Sequence, residues 1–135
     1  MAFTVQYGKL FAIEFSRYPL DQQDAIINFV LTFQQYGLSD FSKYEGKISP
    51  SWKGLDQNDS RYDYVYSNKL WHYHIGIPDY RPSKYGNNYL TSDYVLHFQR
   101  NSATLITLVD VLFHYHADGS FHLPYENYLE TDEEQ

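Results

Sequence analysis

Six histidines, all between residues 72 and 122, are the side chains of this 135-residue chain best suited to chemistry. They fall on runs reading LWHYHIGIP, YVLHFQR and LITLVDVLFHYH, with SFHLPY after the last. An unperturbed imidazole titrates near roughly pH 6.5, and its neutral form is a good transition-metal ligand. A cluster of imidazoles is therefore a candidate for proton transfer or for metal binding. Two spacings sharpen this: His72/His74 and His114/His116 are i, i+2 pairs, which project to the same side of an extended strand. Read as a strand, 70–77 groups Leu70, His72, His74 and Gly76 against an apolar, core-facing set of Trp71, Tyr73, Ile75 and Ile77. Val95, His97 and Gln99 likewise oppose Tyr94, Leu96, Phe98 and Arg100. In the third run Asp110, His114 and His116 fall with Leu108 and Leu112.

If these faces meet, they border the stretch 78–93, which carries Arg81, Lys84 and Tyr85. Two arrangements fit such a surface. In one, Arg81, Lys84 or Arg100 holds a phosphate while a histidine moves protons during attack by a ribose 2′-OH, a reaction that needs no metal and no protein nucleophile. In the other, the His-x-His pairs ligate a transition metal, with Asp110 and Asp118 as the nearest carboxylates. Ordinary structural roles compete with both. His97 and His114 flank apolar residues as core histidines do, and most of the 15 tyrosines act as amphipathic packing.

The elements that must position these residues can be read from periodicity. Phe11, Ile13 and Phe15 alternate with Ala12 and Glu14, which predicts a half-buried strand. Pro19-Leu20-Asp21 then introduces a helix over 21–36, with Asp21 as N-cap, apolar residues Ile26, Ile27, Val30, Leu31 and Phe33 at helical spacing, and Gly37 at the C′ position. Residues 38–68, rich in Ser, Asp, Asn and Gly, read as a loop region with room for one short helix. Three strands follow at 70–77, 94–100 and 105–116. The last two are joined by RNSAT, short enough for an antiparallel hairpin. The fold class expected is α+β, with an N-terminal strand and helix packed on a mainly antiparallel sheet.

Composition bounds the rest. The length fits one domain over 1–129, followed by an acidic, disordered tail at 130–135. With 43% hydrophobic and 19% aromatic residues the chain buries a core, and without cysteine it has no disulfide, thiol nucleophile or zinc-thiolate site. Of 17 acidic residues five lie in the last ten positions, leaving 12 against 10 Lys and Arg in the body. No Lys or Arg follows Arg100, so this is not a strongly basic nucleic-acid binder. The opening residues lack a signal-peptide pattern and no apolar run approaches a membrane span, so a soluble, cytoplasmic protein with no membrane association is expected.

A helix ending in QQYGLSDF, then LWHYHIG, DYVLHFQR and TLITLVDVLF followed by HYHADGSFHLPYENYL, resembles the RelE-like toxin superfamily, and its YafO branch in particular. The likeness spans about residues 10–129. It implies a RelE-like fold and the toxin of a type II toxin–antitoxin pair, an mRNA endoribonuclease that acts on the ribosome and is neutralised by a cognate antitoxin. No cofactor and no metal are implied. Carried onto this chain, the acid/base candidates are His72, His74, His97, His114 and His116, and the substrate contacts are Arg81, Lys84, Tyr85, Arg100 and His122. Where the superfamily carries cations after its last strand, this chain carries histidines. A different class fits the acidic balance, namely an immunity or binding protein that neutralises a basic partner toxin.

Overall fold

The computed structural model describes residues 2–53, 55–77, 80–82, 90–115 and 122–129. Strand β1 (Thr4–Tyr7) leads into helix α1 (Lys9–Phe15) and then α2 (Leu20–Tyr36). The alternation at 11–15 thus belongs to a helix, not a strand. The reason is that Phe11 and Phe15 satisfy an i, i+4 spacing as well as a period of two. They lie 6.0 Å apart between ring centres against Tyr7 and Tyr18, while Ile13 faces solvent. The α2 boundary also differs slightly at its start. Pro19 takes the N-cap position, so Asp21 sits in the first turn, where a carboxylate favours the helix dipole. Gly37 ends the helix at φ 65° with its N–H bonded to the Phe33 carbonyl, as its position in the sequence predicts.

A short edge strand β2 (Ile48–Pro50) and helix α3 (Tyr62–Ser67) interrupt the loop region. Then come β3 (Leu70–His74), the two-residue strands β4 (Arg81–Pro82) and β5 (Leu90–Thr91), β6 (Tyr94–Arg100) and β7 (Leu105–Phe113). The main sheet runs β1-β7-β6-β3-β2, antiparallel throughout except for the β1/β7 pair, and β4 and β5 form a small separate hairpin. This is an α+β protein with a mainly antiparallel sheet. Among the described residues no helix is long and apolar enough to cross a membrane.

The two faces of the sheet bury different things. One face packs on α1 and α2 through Phe11, Ile26, Phe29, Phe33, Tyr73, Leu96, Phe98, Ile106 and Leu108, each removed from water. Phe29 is stacked on Tyr73 at 4.8 Å. Burial of side chains of this size contributes roughly 1.5–3 kcal/mol apiece. The other face carries a smaller apolar cluster, Val65, Leu70, Val109 and Leu129, flanked by Trp52, Leu55, Tyr64, Leu123 and Tyr128. Tyr64 ties α3 to the C-terminal segment by donating to the Pro124 carbonyl at 2.7 Å. The histidines lie on this second face, as the alternation in β3 and β6 predicts.

Candidate functional site

The central strands set the site. β3 and β6 pair so that His72 lies directly opposite His97 and His74 opposite Val95. His72 and His74 project to one side, and their ring centres are 5.8 Å apart. His114 joins them from the chain just past β7, held by its N–H donating to the Asp93 carbonyl at 2.8 Å. Its ring centre is 5.2 Å from that of His72 and 4.8 Å from that of His74. His97 lies behind them, fully buried, 6.2 Å from His72 between ring centres. It lies near the backbone of His122, whose N–H donates to the His114 carbonyl at 3.0 Å.

Burial governs the protonation of these rings. Desolvation, followed by the nearby imidazoles, holds His72 well below the usual histidine range. Desolvation also lowers His74, and it takes His97 down to about 3. Near neutral pH these three rings are uncharged, with lone pairs to offer. Two serines flank His72: Ser51 Oγ lies 3.0 Å from Nδ1 and Ser49 Oγ 3.3 Å from Nε2. Nδ1 of His74 lies 3.0 Å from both the N–H and the carbonyl of Ser92. The Ser92 N–H donates to Nδ1 in the tautomer with the ring proton on Nε2; in the other tautomer Nδ1–H donates to the Ser92 carbonyl and Nε2 keeps its lone pair.

His72 and His114 open onto a cleft of about 380 Å3, whose other walls include Lys47, Ser49, Ser51, Lys53 and Tyr115. Its volume falls in the range of small-ligand sites. The lysines and serines come from one segment, KISPSWK, in which residues 47, 49, 51 and 53 recur at period two. They fall in the stretch 38–68 that its Ser, Asp, Asn and Gly content marks as a loop region. Yet β2 lies at the sheet edge, where a residue without an N–H, here Pro50, is tolerated. The polar alternation was the available signal. Gly46, just before it, is pressed so closely on the His74 carbonyl that a Cβ has no room.

Other expected residues are not gathered here. Arg100 lies on the opposite face of the sheet, its guanidinium 4.9 Å above the Trp71 ring. Asp110, grouped with His114 by simple alternation, instead accepts from the Val111 N–H at 2.8 Å and the Tyr18 hydroxyl at 3.4 Å. A bulge lies just before it: His97 pairs with Asp110 but Phe98 with Leu108, so Val109 is an extra residue, and it is Leu108 that leaves the parity of Asp110 and Leu112 for the helix-packed face. Arg81 contributes its backbone to β4. Lys84, Tyr85, His116, Asp118 and the tail at 130–135 lie outside the described residues. The chain matches no protein-family model, no curated protein and no solved structure with which it was compared.

Proposed function

We propose that this protein is an RNA-cleaving toxin, working without a metal on mRNA at the ribosome and held inactive by a cognate antitoxin. The observation that carries this reading is the cleft in which Lys47 and Lys53 flank His72 and His114. Two ammonium groups beside two imidazoles match the needs of phosphodiester transesterification. His72, uncharged in its buried position, accepts the proton of a ribose 2′-OH as that oxygen attacks phosphorus. Lys47 and Lys53 stabilise the charge that builds on the phosphoryl oxygens, and His114 returns a proton to the departing 5′-oxygen. The products are a 2′,3′-cyclic phosphate and a 5′-hydroxyl end. The resemblance of the strand segments to RelE-like toxins supports the ribosome and the antitoxin as partners.

Induced expression in bacteria tests this. Growth and translation arrest, mRNA is cut, and the Lys47→Gln/Lys53→Gln double variant relieves the arrest. Unimpaired growth with intact protein accumulating in the cell, and no mRNA cleavage on added ribosomes, removes the proposal.

A further inference from the structure

We infer that His72, His74 and His114 form a binding site for one divalent transition-metal ion, with zinc the best match. The three side chains offer one ring nitrogen each, and those nitrogens all lie within 4.8 Å of one another. A tetrahedral site with Zn–N bonds of about 2.0–2.1 Å sets its ligand nitrogens roughly 3.3 Å apart. Each ring therefore has to move by less than about 1 Å to close on an ion. His114 is only partly buried and lies beyond the last residue of β7.

The donor chemistry selects the metal. An all-imidazole set suits Zn2+, Cu2+, Co2+ or Ni2+, whereas Mg2+ and Ca2+ take oxygen ligands. The contacts behind the rings have the pattern that orients metal-bound histidines. Ser51 Oγ engages Nδ1 of His72, and the Ser92 carbonyl is placed to accept from Nδ1–H of His74 in the tautomer whose Nε2 ligates. Ser49 Oγ lies 3.3 Å from Nε2 of His72 and is displaced when that nitrogen takes an ion. Three protein ligands leave a fourth position open, and two of the three line the cleft.

This inference goes beyond the cleavage reading and does not need it. His72 and His114 are the imidazoles assigned to proton transfer, so a bound ion and cleavage by that route exclude each other. The test uses full-length, tag-free protein stripped with a chelator and titrated first with Co2+, then with Zn2+. One equivalent of Co2+ binds with the strong visible absorption of a tetrahedral nitrogen site, Zn2+ displaces it, and the thermal midpoint rises with either ion. His74→Ala and His114→Ala each weaken binding by roughly tenfold or more, and His122→Ala retains it. Circular dichroism checks each variant, with His74→Gln replacing His74→Ala should the latter unfold. Binding below about a tenth of an equivalent, or affinity unchanged by both substitutions, overturns the site. Loss of binding in a folded His122→Ala overturns the choice of ligands. No RNA is present, so failure here and failure of the cleavage reading are separate results.

Discussion

Replacing Asp110 by Asn changes the stability of this protein in a way that depends on pH. Asp110 is 7% exposed and is faced by Glu14 from α1, by Tyr18 from the turn after it, and by Tyr128 from the C-terminal segment. Burial first, and Glu14 in addition, push Asp110 up to about 6 from an ordinary value of 3.8, although the Val111 N–H and the Tyr18 hydroxyl act in the opposite direction. The folded state therefore binds this proton more tightly than the unfolded state. Its stabilising effect is complete below about pH 4 and is lost as pH rises through about 6. A displacement of about two units corresponds to roughly 3 kcal/mol, or about 2 kcal/mol after allowing for partial screening by solvent. An Asn at 110 keeps the acceptor for Val111 and Tyr18 and removes the charge facing Glu14. Urea denaturation at pH 4, 5.5 and 7.5 is the assay. Asp110→Asn is expected to be about 2 kcal/mol more stable than the parent at pH 7.5 and equal to it near pH 4. A stability difference that does not vary with pH, or a destabilised variant at pH 7.5, refutes the reasoning.

Other outcomes follow from the same geometry. Lys47→Gln and Lys53→Gln, singly, lower the RNA-cleavage rate by roughly 10- to 100-fold and flatten its salt dependence, measured with purified protein on ribosomes. Equimolar Zn2+ suppresses that cleavage, and a chelator restores it, because the ion occupies the lone pairs that proton transfer needs; cleavage indifferent to zinc, in protein shown to bind it, dissociates the imidazoles from catalysis. Gly46→Ala forces the strand away from the His74 carbonyl and costs about 2 kcal/mol or more in denaturant titration. Phe29→Ala, in the centre of the aromatic cluster, costs about 3–5 kcal/mol.

The sequence by itself determined the helix read at 21–36, which begins at Leu20, and the three long strands, two of which stop at His74 and Phe113, short of their expected ends, because there the apolar period is sustained. It also determined that His72, His74 and His97 share a face, since side-chain parity along a regular strand is fixed by the backbone. Parity failed where pairing intervened. The bulge at Val109 exists only against β6, and it is what puts Leu108 on the helix-packed face, out of the parity of Asp110 and Leu112. Local period also failed at Phe11 and Phe15, whose spacing suits a helix and a strand equally until packing against Tyr7 and Tyr18 decides. The cleft was beyond local reasoning for the same cause. Lys47 and Lys53 stand beside His72 and His114 because β2 docks on β3 and the chain turns back after Phe113, contacts made between residues far apart in the chain. Residue types and their alternation are local properties of a chain, whereas the convergence of three imidazoles and two ammonium groups is a property of strand order and register, which only the folded sheet supplies.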